Sequence, residues 1–243
     1  MDNTKKMKKT GNRTIFLILI VIFLLIIFFP KREIVIRNYP VKGIDVSHYQ
    51  DVIDWKIISE RGISFVFVKA TEGMTLKDKL FNRNWERIRR EGLKRGAYHF
   101  FRPTLSAKKQ ANHFIESVEL ELGDFPPVLD VEVLDGVSKK ELLVGVHAWL
   151  LHAEMEYGVK PIIYTNQNFY NNYLKNEFSD YPLWIARYSL REPRLKDKAN
   201  WTFWQYTSSG NIKGIEGRTD FNVFSGSLEE LNQFSLQPRE ILR

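Results

Sequence analysis

The sequence predicts an α/β fold: an irregular TIM-like barrel of about five βα units plus three further strands, preceded by one N-terminal transmembrane helix. Segments of strand character alternate with segments of helical periodicity after residue 42, and such alternation implies a parallel sheet. Eight strand segments can be recognised, which is the number that closes a barrel. The domain has about 200 residues, fewer than the ~250 of a typical complete barrel, so we expect the last strands to lack helices.

A hydrophobic segment precedes the domain. Residues 15–29 are fifteen consecutive apolar residues between a lysine-rich stretch and Pro30-Lys31-Arg32. As a helix they span about 22 Å, less than the ~30 Å hydrocarbon core, although flanking Lys and Arg side chains can reach the interface. A cleaved signal peptide is the alternative, because this length also suits one. No cleavage site of small residues follows, so we favour an uncleaved signal anchor.

The charges around this segment predict its orientation. Five basic residues precede the apolar run and two follow it, which places the N-terminus in the cytoplasm. The sequence therefore predicts a cytoplasmic basic tail at 1–13, a transmembrane anchor at 14–30, a tether at 31–41 and a domain at 42–243. That domain would lie outside the cytoplasm, in the periplasm or on the cell surface.

Composition excludes several classes of function. The net charge of +7 comes mostly from residues 1–32, and the rest of the chain has 29 basic and 28 acidic residues. A nearly neutral domain does not favour nucleic-acid binding. There is no cysteine, and the five histidines show no metal-ligand spacing, so we predict no disulfide and no metal held by cysteine or histidine. Aromatic content is high at 14%, which suits sugar-binding clefts as well as cores.

The predicted strands are short apolar segments bounded by turn residues. In chain order they are residues 42–46, 64–69, 95–101, 125–132, 161–164, 183–186, 203–206 and 219–223. Residues 64–69 form a continuous apolar run, which is typical of a strand buried on both faces. The last strand is weaker in composition. Between the sixth and eighth strands there is much turn chemistry, such as Ser208-Ser209-Gly210, and little helical periodicity.

The predicted helices fill the gaps between the earlier strands. A short helix opens after Asp54, and further helices are expected at 78–91, 106–118, 138–157, 167–174 and 227–234. Asp54 and Ser106 are suitable N-caps. Gly92 and Gly158 end their helices, because glycine readily adopts the left-handed conformation at a helix C-terminus.

The fourth strand ends in two carboxylates. Val128, Leu129 and Val131 are apolar strand formers, and Asp130 and Glu132 alternate with them. Alternation along a strand points both acids to the same side. Two acids there repel each other and lose solvation, which raises the pKa of at least one. A protonated acid beside an ionised neighbour is the arrangement that glycoside cleavage requires.

Further polar residues are predicted at the same end of the barrel. Chemistry in such barrels takes place at the C-terminal ends of the strands, where we place Asp45, Tyr98, Asp130, Glu132, Tyr164, Trp184, Gln205 and Asp220. Strands one and eight are neighbours in a closed barrel, so Asp45 and Asp220 should lie side by side, across the mouth from Asp130 and Glu132.

Each of these residues also has an ordinary structural explanation. Asp45 and Asp220 could be turn or capping residues, and the aromatic residues are more often part of a core. Taken together, however, four acids on one rim would repel one another, which makes a purely structural origin of the whole set costly. The functional interpretation therefore depends on their convergence and not on any single residue.

Eight segments resemble glycoside hydrolase family 25, the lysozymes or muramidases. They occur in the expected order: DVSHYQ at 45–50, FVKATEG at 67–73, GAYHF at 96–100, LDVE at 129–132, IYT at 163–165, LWIARY at 183–188, WQY at 204–206 and DFN at 220–222. The resemblance implies an irregular barrel of five βα units with three further strands. It also implies cleavage of the β-1,4 bond between N-acetylmuramic acid and N-acetylglucosamine in peptidoglycan, without a cofactor.

The resemblance also implies roles for the residues at the mouth. Glu132 would be the general acid, and Asp130 would assist either the 2-acetamido group of the substrate or the developing charge. Asp45 and Asp220 match the two other acids of the family site. Contacts with sugar would come from Tyr98, Tyr164, Trp184 and Gln205. We therefore expect a membrane-anchored muramidase; the alternative is a membrane-tethered glycan-binding module that has lost turnover.

Overall fold

Eight strands close into a barrel in the computed structural model, which describes residues 38–189 and 191–238. The strands are β1 (Lys42–Val46), β2 (Phe65–Glu72), β3 (Leu76–Lys77), β4 (Lys94–Phe100), β5 (Val128–Asp130), β6 (Ile162–Asn166), β7 (Leu183–Ala186), β8 (Phe203–Gly210) and β9 (Thr219–Phe224). Around the barrel their order is β1-β9-β8-β7-β6-β5-β4-β2, and pairing of β1 with β2 closes the ring. The short β3 pairs only with the end of β2 and has no counterpart among the predicted strands.

Helices follow most of the early strands, as the sequence predicts. They are α1 (Trp55–Ser59), α2 (Phe81–Arg90), α3 (Ala107–Ser117), α4 (Lys139–Tyr157), α5 (Gln167–Phe169), which continues as a π-helical turn (Tyr170–Leu174), and α6 (Leu228–Phe234). Ser138 caps α4 with its side chain, and Glu141 returns the contact to the Ser138 backbone, so two of the free N–H groups of the helix are satisfied. Within the described residues no helix joins β7 to β8 or β8 to β9, so the predicted arrangement of five βα units followed by three further strands is confirmed.

The direction of the last strand differs from the prediction. The sequence analysis expected a parallel barrel, but β9 runs antiparallel to both neighbours, β1 and β8. Its first residues therefore lie at the mouth, where the other strands end. Asp220, the second residue of β9, reaches the mouth for this reason and not because it ends a parallel strand.

Two apolar layers hold the barrel. Alternation along β2 sends Phe65 and Phe67 into the barrel interior, while Val66 and Val68 pack outward among the residues beneath the helices. Glycine makes room for the inner rings: a Cβ on Gly96 would lie 2.7 Å from the Phe67 ring. This packed interior supports the floor of the mouth.

The predicted membrane segment, residues 14–30, lies outside the described residues, as do the basic tail and most of the tether. Within residues 38–189 and 191–238, no helix is both long and apolar enough to cross a membrane.

Candidate active site

Asp45 and Asp220 face each other across two neighbouring strands. They are direct partners in the antiparallel β1–β9 ladder, and directly opposed residues project their side chains to the same face. Asp45 is buried and Asp220 is partly buried. The structure thus places these two acids side by side, as the sequence analysis expected, although through an antiparallel pairing.

The second pair of acids lies on the opposite side of the mouth. Asp130 is the last residue of β5 and is 4% exposed. Glu132 follows two residues later, beyond the end of the strand, and is partly buried. The backbone N–H of the intervening Val131 donates to the carbonyl of Tyr164, which keeps this segment aligned with β6 beyond the end of β5.

Both pairs open into one cavity of about 320 Å³. Its lining includes all eight residues that the sequence analysis placed at the mouth: Asp45, Tyr98, Asp130, Glu132, Tyr164, Trp184, Gln205 and Asp220. The other lining residues are Val46, Ser47, Tyr49, Gln50, Lys69, Phe100, Tyr188 and Ser208. The expected convergence of four carboxyl groups is therefore a feature of the structure.

Asp45 is held by two amide donors. Its Oδ2 accepts hydrogen bonds from Gln205 Nε2 at 2.8 Å and from Asn222 Nδ2 at 2.7 Å. Asn222 is itself oriented by Trp184, whose Nε1 donates to Asn222 Oδ1 at 2.8 Å. With Oδ2 occupied in this way, the other oxygen of Asp45 remains for Asp220 or for a ligand.

Tyrosines complete this hydrogen-bond network. The hydroxyl groups of Tyr164 and Tyr188 both donate to Gln205 Oε1, at 2.8 and 3.0 Å. Tyr164 is buried, whereas Tyr188 is 60% exposed and forms part of the cavity wall. Together these contacts fix the Gln205 amide so that its N–H points to Asp45.

The Trp184 side chain is more deeply buried than that of a residue that stacks on a sugar ring. It is 1% exposed, stacks on Phe67 with ring centroids 4.2 Å apart, and lies 4.3 Å from the ring of Tyr164. It belongs to the lining of the cavity, but most of its surface packs against protein. Tyr49, by contrast, is 80% exposed at the rim and offers an open aromatic face.

Burial raises the pKa of every carboxyl group in the mouth. For Asp45 the negative charge of Asp220 adds to burial, and for Asp130 the charge of Glu132 does so. The pKa of Glu132 is raised by burial, and the nearby charge of Asp220 adds to this. Burial raises the pKa of Asp220 to about 6. Protons are therefore retained in this cluster at a pH where ordinary acids are ionised.

One oxygen of Asp130 has no partner. Oδ1 is buried and, among the described residues, nothing donates a hydrogen bond to it. A buried acceptor without a donor costs free energy, on the order of 1–3 kcal/mol. A ligand N–H or O–H placed in the cavity would satisfy it.

Sequence reasoning missed several residues of the site. Lys69 and Phe100 lie on β2 and β4 beside the acid pair, and Asn222 holds Asp45. Like these three, Tyr49 and Tyr188 entered the sequence analysis only as members of longer segments. For Tyr49 and Tyr188 the available signal was a position three and two residues beyond the ends of β1 and β7, because that is where barrel loops bend over the mouth. Among the described residues no group of three or more acids or histidines is placed to hold a metal ion.

A closed α/β barrel with paired carboxyl groups in a buried mouth defines the class of the protein, a glycoside hydrolase. The chain belongs to glycosyl hydrolases family 25, whose family model matches residues 44–215. It is therefore an enzyme of the lysozyme or muramidase type, a glycoside hydrolase that acts on peptidoglycan.

Individual relatives agree with this membership. The uncharacterized protein YegX of Escherichia coli K12 is 46% identical over 213 residues, covering 84% of this chain and 78% of that protein. Lysozyme M1 of Streptomyces globisporus is 32% identical over 205 residues, covering 79% of this chain and 70% of that enzyme. A family 25 glycosyl hydrolase from Bacillus anthracis superposes with a TM-score of 0.78 at 35% identity, covering 82% of this chain and 95% of the other.

Proposed function

We propose that this enzyme cleaves the β-1,4 bond between N-acetylmuramic acid and N-acetylglucosamine, with Glu132 as the general acid and Asp130 as its partner. The observation that carries the proposal is the convergence of two carboxyl pairs, each with one buried and one partly buried acid, in one cavity of about 320 Å³. Glycosidic cleavage needs one acid that gives a proton and one group that stabilises positive charge at the anomeric carbon. The Asp130–Glu132 pair offers both.

Glu132 is the better proton donor of that pair by position. It lies beyond the end of β5 and is partly buried, whereas Asp130 is almost fully enclosed. Burial raises the pKa of both acids, so the pair retains a proton, and Glu132, the more accessible of the two, delivers it to the departing glycosidic oxygen. As the bond between the anomeric carbon and this oxygen breaks, the proton moves to the oxygen and Glu132 becomes a carboxylate. That carboxylate can then take a proton from the incoming water.

Asp130 is suited to the substrate's acetamido group. Its Oδ1 is buried and unpartnered within the described residues, so an acetamido N–H would supply the missing donor. An acetamido group held in this way can direct its carbonyl oxygen at the anomeric carbon while the leaving oxygen departs. The negative charge of Asp130 stabilises the positive charge that develops on the group.

The second carboxyl pair has a supporting role in this proposal. Asp45 is fixed by Gln205 and Asn222, and Asp220 is its ladder partner. Their charge favours an oxocarbenium-like transition state. Sugar contacts would come from Tyr98, Tyr164, Trp184 and Gln205, all of which line the cavity; Trp184 would contribute only the small part of its surface that is not packed against protein.

The site of action is proposed from the N-terminal sequence. An apolar run at 15–29 with basic flanks supports a single-pass anchor that places the domain outside the cytoplasm, near peptidoglycan strands. Deletion of residues 1–32 should release the protein from cell membranes while activity on soluble glycan fragments persists. Retention of the truncated protein on membranes would contradict the anchor.

Incubation with purified peptidoglycan tests the enzymatic proposal. The wild-type protein should release fragments whose new reducing ends are N-acetylmuramic acid, identified by mass spectrometry after borohydride reduction. Glu132→Gln should lower the release rate by at least about 100-fold while peptidoglycan still binds. Glu116→Gln, on the exposed face of α3, is the matched control and should leave the rate unchanged. Binding by the wild type without release would identify a glycan-binding module instead.

A further inference from the structure

The mouth contains one fixed positive charge beside the acid pair. Of the sixteen described residues that line the cavity, only Lys69 is a lysine or arginine. Its side chain is 12% exposed. The residue is on β2, the strand that pairs with both β1 and β4, so its position is set by the barrel wall and not by a loop.

Glu72 holds the Lys69 ammonium in place. Lys69 Nζ donates to Glu72 Oε2 at 2.7 Å, while the other oxygen, Oε1, accepts from Arg102 Nε at 2.9 Å and from Arg102 Nη2. The ammonium lies 5.1 Å from the centre of the Phe100 ring and the Arg102 guanidinium lies 4.8 Å from it. Each oxygen of Glu72 thus serves one cation, and Phe100 contacts both cations.

Lys69 is close to the acids without being paired to them. Among the described residues its ammonium forms an ion pair with Glu72 and with none of the four mouth carboxyl groups. It nevertheless acts on them through space: its charge lowers the pKa of Asp130 and of Glu132, against the larger effect of burial. A direct ion pair would hold one acid permanently ionised, whereas a cation held at a distance favours ionisation of either.

We propose that Lys69 is a positioning residue for the reaction. Its ammonium is restrained by Glu72, and this fixed positive charge favours ionisation of Asp130 and Glu132, so that the two acids hold one proton between them. This inference rests on the proposed roles of the two acids. Without Lys69, a second negative charge in the pair would be opposed by burial and repulsion alone. Without Glu72, the ammonium would be free to pair with the acids and remove the proton that Glu132 must give.

Other charged or titratable groups surround Lys69 and enter the expected pH dependence. They are Glu72 on β2, Tyr98, His99 and Arg102 on and after β4, Asp130, Glu132 and Asp135 on and after β5, and Asp45 and Asp220 on β1 and β9. Arg102 is already paired with Glu72 and Asp135, and burial lowers the pKa of His99 to about 3, so His99 is neutral in the working range.

Carboxyl titration in the free protein tests the proposal directly. The full-length protein, labelled with ¹³C at Asp and Glu carboxyl groups, is titrated by NMR as wild type, Lys69→Met, Lys69→Arg and Glu72→Gln. Lys69→Met should move the Asp130 and Glu132 titrations up by about one pH unit, because a favourable charge is lost. Glu72→Gln should move them down, and Lys69→Arg should keep them near the wild-type values. Lys56→Met, an exposed lysine on α1, is the control and should move neither.

The pH profile of peptidoglycan cleavage provides the second measurement. Both limbs of kcat/KM should move to higher pH in Lys69→Met and to lower pH in Glu72→Gln. Damage to the fold would not move two variants in opposite directions. Carboxyl titrations in Lys69→Met that stay within about 0.2 pH unit of the wild type would overturn the proposal. If the wild-type protein releases no reducing ends, the proposed function fails, but the NMR titrations still decide the role of Lys69.

Discussion

Replacing Asp220 by asparagine should stabilise the folded protein at neutral pH. Burial raises the pKa of Asp220 to about 6 in the fold, against about 3.9 in an unfolded chain. The folded state therefore keeps a proton that the unfolded chain releases, so stability falls as the pH rises from about 4 through 6. Asparagine never ionises and should avoid this loss.

The size of the gain follows from the pKa difference. About two pKa units correspond to roughly 3 kcal/mol at pH 7.5. Because the side chain is only partly buried, solvent screening reduces this to about 1.5 kcal/mol. For a domain of this size such a change raises Tm by about 3–6 °C. Relief of the repulsion between Asp220 and Asp45 acts in the same direction.

Urea unfolding followed by tryptophan fluorescence measures the effect at pH 4 and pH 7.5. The variant should exceed the wild type at pH 7.5, and the difference should be much smaller at pH 4, where Asp220 is protonated in the folded state and only about half ionised in the unfolded chain. Asp180→Asn is the matched control, because Asp180 is exposed and Lys160 lowers its pKa, so no gain at neutral pH is expected. An equal gain at both pH values would refute the electrostatic explanation.

Three further changes test other parts of the structure. Gly96→Ala should lower the free energy of unfolding by about 1–3 kcal/mol, since its Cβ would lie 2.7 Å from the Phe67 ring. Calorimetry measures this loss, and the double variant Gly96→Ala, Phe67→Leu should recover part of it. His99 is buried with its pKa lowered to about 3, so its contribution to stability should fall as the pH drops from 6.5. In His99→Gln the urea concentration at the unfolding midpoint should therefore depend less on pH over that range. A pH dependence equal to that of the wild type would contradict this. Asn222→Ala should lower kcat by a larger factor than it changes KM, because Asp45 loses a donor and Asn222 is not among the described residues that line the cavity. An effect on KM alone would argue for direct sugar binding.

Much of the barrel could be predicted because its strands are encoded locally. Apolar runs and turn residues identify where β2 and β5 lie. Eight such runs are the number of strands that forms a closed barrel. The direction of β9 was predicted wrongly because parallel βα alternation was assumed for the whole barrel, although residues 211–218 between β8 and β9 are too few for the crossover that parallel neighbours need. The position of Asp220 was therefore predicted correctly from an incorrect premise.

The residues of the site also differ in how far the sequence could predict them. Asp130 and Glu132 were recognisable because an apolar strand runs into two acids. Lys69 was not, because a lysine at the end of the predicted strand 64–69 more often reaches solvent, whereas β2 continues to Glu72 and Lys69 faces the mouth, where it pairs with Glu72. Asn222 likewise depends on contacts with Asp45 and Trp184, residues that are distant in sequence.

The placement of β9 between β1 and β8 has a consequence for biosynthesis. β1 is among the first parts of the domain to be made, yet one of its two edges stays open until residues 219–224 have been synthesised. Asp45 meets Asp220, and its donor Asn222, only then. A chain that lacks residues 219–224 therefore has neither Asp220 nor the Asn222 donor that holds Asp45, and under the proposed roles of these acids the mouth is completed only after β9 has been made.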